Sequence, residues 1–182
     1  MSLVLDNINK TIVLHTCCAP CAGGCLEELL KLDKKVILYF SNSNLSSLEE
    51  FNKRLDSVKV LANHFNVPLE VDSYNPLLWN EAVKGLETEP EKGLRCNKCF
   101  AYNLGRTAIF AEKIDAVFCS SLTVSPHKNN GTLFLEGQKY SNFIPVDFKP
   151  FWSNSCKIAK NLNFYRQRFC GCSYSLPKNN LS

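Results

Sequence analysis

Thr11–Thr16 reads T-I-V-L-H-T, Cys17–Cys21 reads C-C-A-P-C, and Ala22–Leu32 continues A-G-G-C-L-E-E-L-L-K-L. The first six residues are β-branched or apolar, as a buried strand requires, and the run stops at Cys17. Pro20 then falls in the first turn of a helix, where its missing N–H leaves no bond unmade. A strand thus passes into a helix through a pair of adjacent thiols.

The same alternation repeats downstream. Val36–Phe40 (V-I-L-Y-F) is a continuous apolar run, expected of a buried parallel strand. Ser41–Ser47 is a polar loop, and Ser46 or Ser47 caps a helix predicted to run to about Phe65, with Leu48, Phe51, Leu55, Val58 and Leu61–Ala62 on its apolar face. Leu69–Val71 is a third strand. Pro76–Gly93 is rich in Pro, Gly and Glu around a short helix at Trp79–Lys84, and Cys96 opens a helix through Lys113. Ala116–Thr123 is a fourth strand. A helix near Thr132–Tyr140, a strand at Ile144–Asp147 and a helix near Cys156–Phe164 follow.

Strand–helix alternation predicts an α/β fold: a doubly wound, Rossmann-like, mostly parallel sheet flanked by helices, with the active site at the strand carboxyl ends. Length predicts a single domain over residues 1–182, with 175–182 as a flexible tail. Met1–Lys10 contains no apolar signal region and no stretch approaches a membrane span, so a cytoplasmic protein without membrane attachment is expected.

In a reducing compartment, clustered thiols point to metal or catalysis rather than to structural bridges. Eight of the ten cysteines are grouped: Cys17, Cys18, Cys21 and Cys25; Cys96 and Cys99; Cys170 and Cys172. Cys17, Cys18, Cys96 and Cys99 on two turns can converge on one iron–sulfur cluster or one zinc. Adjacent cysteines favour the cluster, because a cubane offers separate irons to neighbouring sulfurs, whereas structural zinc sites use two spaced hooks. Cys21 can replace one of these, hold a second metal or act as a thiol beside the cluster. Cys25, Cys119 and Cys156 read as structural. Cys170-Gly171-Cys172 differs, because two thiols one residue apart form a redox pair only if the middle residue takes an unusual backbone geometry, which glycine permits. Two further metal ligands are the other possibility there.

Charge is unevenly spread. Residues 46–91 hold nine acidic and four basic side chains, while 92–111 (Lys92, Arg95, Lys98, Arg106) and 149–182 hold basic residues and no acid. Both basic segments contain cysteine groups, which suits a polyanionic substrate such as RNA. Trp79, Phe100, Tyr102, Tyr165 and Phe169 are nearby candidates for stacking on a base, and equally for packing. Ser125-Pro-His-Lys128 offers a hydroxyl, an imidazole and an ammonium after a strand. His15 and His64 read as structural.

C-C-A-P-C after the first strand, G-L-E-T-E-P-E-K-G-L-R-C-N-K-C-F (Gly85–Phe100), S-P-H-K, V-D-F-K (Val146–Lys149) and Y-R-Q-R-F-C-G-C (Tyr165–Cys172) occur in that order. With them the chain resembles the QueH type of epoxyqueuosine reductase, from about Ile12 to Ser175. The resemblance implies reduction of epoxyqueuosine to queuosine at the wobble position of a tRNA anticodon, by iron–sulfur chemistry without cobalamin. It implies Cys17, Cys18, Cys96 and Cys99 as ligands of a [4Fe-4S] cluster, with Cys21 as a further metal ligand, an additional iron beside the cluster, and Cys170 and Cys172 as the redox disulfide. An external electron donor must reset that pair. Asp147, His127 and Tyr165 are candidates for the general acid. The loop Ser41-Asn-Ser-Asn-Leu-Ser-Ser47 departs from the family pattern by lacking its prolines.

Two other classes bear on the same residues. An ATP-using tRNA sulfur-transfer or thiol–disulfide enzyme would need an S-G-G-x-D-S-like phosphate loop, and Cys17-Cys18 stand in its place. A zinc-stabilised RNA-binding module would carry zinc and have no use for Cys170-Gly171-Cys172.

Overall fold

Three parallel strands laid side by side begin the fold. The computed structural model describes residues 11–176, so the readings made for Met1–Lys10 and for the tail beyond residue 176 lie outside it. β1 (Ile12–His15) pairs with β2 (Val36–Phe40), and β2 with β3 (Leu69–Val71), all parallel. β4 (Val117–Ser120) then joins the opposite side of β1, giving the order β3-β2-β1-β4. Each crossover needs a helix: α1 (Ala19–Leu30) and α2 (Leu48–Phe65) on the way out, and α4 (Leu94–Lys113) on the way back, with the short α3 (Pro76–Ala82) before it.

β1, β2 and β4 are largely buried on both faces, which is why they read as apolar runs, whereas the edge strand β3 is mostly exposed. Ile12, Leu14, Leu38 and Phe40 point to one layer, with α1, α2 and the late helix α6 (Trp152–Asn161). Val13, Tyr39 and Phe118 point to the other, under α4. Truncating a buried leucine of either layer costs about 2–5 kcal/mol. α1 and α6 approach closely because Gly24 has no side chain: a Cβ there would sit 2.7 Å from the Phe151 carbonyl oxygen and 2.9 Å from the Ser155 amide. The Ser155 hydroxyl fills the gap and accepts from the Gly24 N–H at 3.0 Å.

Capping explains the boundaries of α2. Ser47 Oγ accepts from the Glu50 N–H at 3.1 Å, and Asn66 closes the helix in the left-handed region at φ 51°. Four expectations shift. Leu48 is 56% exposed, since it lies in the first turn and outside the apolar stripe. The predicted fourth strand ends at Ser120, and Ser121–Val124 forms a 3₁₀ turn instead. Ile144–Asp147 is not a strand: a single bridge pairs the preceding Phe143 with Phe118, Ile144 donates to the Phe118 carbonyl at 2.8 Å, and Pro145 has no N–H with which to continue. The last helix begins at Trp152, led by a 3₁₀ turn over Lys149–Phe151, and stops before Asn163 at φ 50°. α5 (Asn130–Gly137) completes the order. Among the described residues no helix is long and apolar enough to cross a membrane.

The direction of winding reverses between β1 and β4. Parallel α/β sheets open a crevice at the carboxyl ends of two such strands, because the following loops leave to opposite faces. β1 there runs into Cys17 and β4 into Ser121, and the Cys17 N–H donates to Ser121 Oγ at 3.2 Å.

Candidate active site

Three thiols gather at this crevice. Cys18 occupies the N-cap position of α1 in extended conformation, and Cys21 lies in the first turn. The sulfurs of Cys17, Cys18 and Cys21 all lie within 4.8 Å of one another, with Cys17 and Cys18 Sγ 3.9 Å apart. No other set of three Cys, His, Asp or Glu ligand atoms among the described residues is as close. The loop is pinned from both sides: Asn42 Nδ2 donates to the Thr16 carbonyl at 2.9 Å, and Ser121 Oγ stands 3.6 Å from Cys17 Sγ.

The trio is electrostatically uneven. Hydrogen bonds from Cys17, then Cys21, hold Cys18 well below the usual thiol range, and the Arg54 charge and the Gln167 amide assist against burial. Gln167 Nε2 donates to Cys18 Sγ at 3.1 Å. The same bond pushes Cys17 up to about 12, and bonding to its two neighbours raises Cys21 too. Cys18 is thus the sulfur toward which the others donate, at a helix start that favours negative charge.

A second thiol group faces the first. Cys96 and Cys99 lie in the opening turns of α4, and they share a narrow cavity of about 20 Å³ with Cys170 and Cys172. Burial raises both Cys96 and Cys99 above the ordinary thiol value. Lys128 reaches into this cavity with Nζ 2.9 Å from Cys170 Sγ. Burial opposes its charge, yet its electrostatic interaction and hydrogen bond with Cys170 outweigh it and leave Lys128 above the ordinary lysine value. Gly171 joins the two cysteines at φ 133°, and a Cβ there would lie 2.6 Å from Leu45 Cδ2 and 3.1 Å from the Arg54 guanidinium. Only glycine fits that position.

Both groups open on one cleft of about 500 Å³, whose lining includes Cys17 and Cys21 together with Cys99 and Cys170. The structure therefore brings Cys17, Cys18 and Cys21 together as one donor face. It sets Cys96 and Cys99 beside the Cys-Gly-Cys segment rather than within the trio. Cys25 and Cys119 are fully buried, in keeping with a structural role. A separate hollow of about 310 Å³ beside Tyr39, Asp72 and Arg106 holds no thiol.

Of the three acid candidates, His127 alone lines the cleft. Asp147 instead accepts from Asn130 Nδ2 at 2.7 Å and from the Lys149 N–H at 3.0 Å, fixing its own loop. The Tyr165 hydroxyl donates to Glu50 at 2.9 Å. Trp79 is buried against Cys172 and Val83 as packing, whereas Phe100 and Phe169 face the cleft. The positive field is smaller than the sequence suggests. Arg95 is buried and clamps the carbonyls of Leu86, Glu87 and Glu89, and Arg106 is paired with Asp72.

Arg54 and Gln167 were not legible as site residues. Arg54 is 3% exposed, ion-paired with Glu50 at 2.7 Å, and donates to the Cys170 carbonyl at 3.2 Å. One signal existed: Arg54 lies between Phe51 and Val58 on the apolar stripe of α2, where a charge has no place without a partner.

His15, just below the trio, is wholly buried between Ser120 Oγ at 2.8 Å and the Ser41 carbonyl at 3.3 Å, and burial lowers it from 6.5 to about 4. The unfolded chain takes up this proton near pH 6.5 and the folded one resists until about pH 4. Stability is complete above pH 6.5 and falls between these limits, by about 3 kcal/mol for this group. Urea denaturation of the wild type and His15→Gln across that range measures it. A wild-type slope no steeper than the variant's contradicts the assignment.

Comparison with known proteins adds an independent line. The family model Epoxyqueuosine reductase QueH matches residues 12–178. A relative of that name from Streptococcus pyogenes serotype M1 is 35% identical over 185 residues, spanning 93% of this chain and 72% of its own. One from Haemophilus influenzae is 34% identical, with 96% and 75% covered, and one from Acinetobacter baylyi is 35% identical, with 96% and 84% covered.

Proposed function

From the chain's membership of the QueH family of epoxyqueuosine reductases, we propose that it reduces epoxyqueuosine in tRNA to queuosine. A tRNA substrate and clustered thiols both suit the cytoplasm. The observation that supports this reading most directly is the convergence of two thiol groups, represented by Cys17/Cys21 and by Cys99/Cys170, in the lining of one cleft, with Cys18 within 4.8 Å of the first.

The donor set fits an iron–sulfur cluster. Three sulfurs lie close enough to serve neighbouring irons, one is held well below the usual thiol range, and the surrounding donors (Gln167 Nε2, Ser121 Oγ) point at sulfur. Cys17, Cys18 and Cys21 would hold a [4Fe-4S] cluster, with Cys99 in the lining of the same cleft and Cys96 beside Cys99 in the narrow cavity. When bound, such a cluster supplies one-electron transfer and Lewis acidity.

The chain's own residues supply the rest. Converting an epoxide to an alkene breaks two C–O bonds, consumes two electrons and two protons, and releases water. Oxidation of the Cys170/Cys172 dithiol to a disulfide yields those two electrons and two protons, and an external thiol or electron-transfer reductant returns them for the next turnover. Lys128 keeps Cys170 in a charge-complementary contact, and Gly171 gives the pair the backbone geometry it needs. His127, on the cleft wall, is placed to hand a proton to the departing oxygen.

Anaerobic reconstitution followed by iron, sulfide and zinc analysis tests the reading, together with an assay on epoxyqueuosine-containing tRNA. About four irons and four sulfides per chain, absorbance of a cluster, and formation of queuosine are expected. Stoichiometric zinc without iron would favour the RNA-binding module instead.

A further inference from the structure

Between Tyr165 and Phe169 the chain forms a strap over the thiol trio, free of helix and strand. It is fastened at every other position. The Tyr165 N–H donates to Ser57 Oγ at 3.0 Å and its hydroxyl binds Glu50. Gln167 turns inward to Cys18 Sγ. The Phe169 ring lies 5.6 Å from the Arg54 guanidinium, and the following Cys170 carbonyl is held by the same arginine. Arg166 and Arg168 alternate with these anchors, line the cleft and are exposed. Among the described residues neither has a carboxylate within ion-pair distance, whereas Arg54 and Arg106 do. Two unpaired cations on a fixed strap are unlike Lys31, Lys53, Lys59, Lys84 and Lys139, which find partners three or four residues away.

We infer that Arg166 and Arg168 form a lip that grips successive phosphates of a single-stranded RNA loop, so that the nucleotide between them enters the cleft. The inference rests on the activity proposed above. Two residues apart, the arginines have Cα atoms at most about 7 Å from each other, comparable to the step between phosphates of an extended strand. Planar guanidinium groups bind phosphate oxygens in pairs. Phe169 and Trp152, lining the same cleft, offer faces on which a loop base can stack. Among the described residues Glu91 is the one carboxylate lining the cleft, and its charge acts on Lys128 of the same lining. The RNA backbone therefore lies along Arg166 and Arg168.

The test is the salt dependence of binding by the reconstituted protein to a short anticodon-type RNA stem–loop carrying no modified base. The double variant Arg166→Gln/Arg168→Gln is compared with Lys157→Gln/Lys160→Gln, which removes equal charge from exposed positions on α6. Loss of two phosphate contacts lowers the slope of log affinity against log salt by about 1.4 and weakens binding about tenfold near physiological salt. The α6 pair is expected to bind as the wild type does. An unchanged slope in the lip variant, or an equal loss in the α6 variant, overturns the proposal. Turnover of modified tRNA at saturating concentration separates the two readings. Wild-type turnover together with an unchanged lip slope refutes the lip alone; absence of turnover refutes the activity, while the slope still decides whether the lip holds RNA.

Discussion

Cys18→Ser is expected to strip the protein of its iron and abolish formation of queuosine. Cys18 is 1% exposed, receives bonds from Cys17, Cys21 and Gln167, and feels the buried charge of Arg54. It is the one sulfur of the trio that its surroundings shift below the usual thiol range rather than above it. Serine keeps the shape but presents a neutral, harder oxygen that does not ionise near neutral pH. Altering a group outside the ligands typically costs 10–100-fold in metal affinity, so loss of this sulfur should exceed about 100-fold. Cys25→Ser provides the contrast. Cys25 lies further along α1, fully buried, and its thiol donates to the Cys21 carbonyl at 3.3 Å, a bond a hydroxyl can make. That variant should retain iron and turn over. Iron and sulfide content per folded chain, read beside circular dichroism, decides between them. Equal iron in Cys18→Ser and wild type would remove the trio as the cluster site.

Cys170→Ser should do the reverse, leaving iron intact and stopping turnover. Cys170 contacts Lys128 and lies in the narrow cavity with Cys96, Cys99 and Cys172, outside the trio. If Cys170 and Cys172 supply the two electrons, neither thiol alone can form the disulfide, and no catalytic cycle closes. The loss is therefore complete in multiple turnover rather than a partial reduction in rate. Cys172→Ser should match it. Iron analysis and product formation on the same preparation test this. Loss of iron from Cys170→Ser would make that residue a ligand, and sustained turnover would place the source of electrons elsewhere.

The contrast between these variants bears on what linear order conveys. Cys17-Cys18-x-x-Cys21 is local, and its spacing after a strand and through Pro20 is enough to place all three sulfurs at one helix start. The parallel order of the strands is also local in origin. Continuous apolar runs separated by helix-length segments admit few other arrangements, and the strands at Val36–Phe40 and Leu69–Val71 came out at their expected bounds. Pro145, by contrast, ended an expected strand through a missing N–H, a cue present in the sequence but outweighed by the neighbouring Ile144 and Val146.

Residues far apart in the chain are a different matter. Whether Cys96 and Cys99 join Cys17 or Cys170 depends on how α4 and the strap before Cys170 pack over the crevice, and no spacing within either segment encodes that distance. Lys128 meets Cys170 across 42 residues, and Gln167 meets Cys18 across 149. Charge counts misled for the same reason. Arg95 and Arg106 contribute to a basic segment in the sequence, yet one clamps carbonyls and the other neutralises Asp72, leaving Arg166 and Arg168 facing the cleft unpaired. The sequence by itself determined the alternation of strand and helix, the parallel sheet and the family, because each follows from short-range periodicity, turn chemistry and motif. Only the tertiary structure decided which thiols share a wall and which cations stay free, because desolvation and pairing act on distances that the fold alone creates.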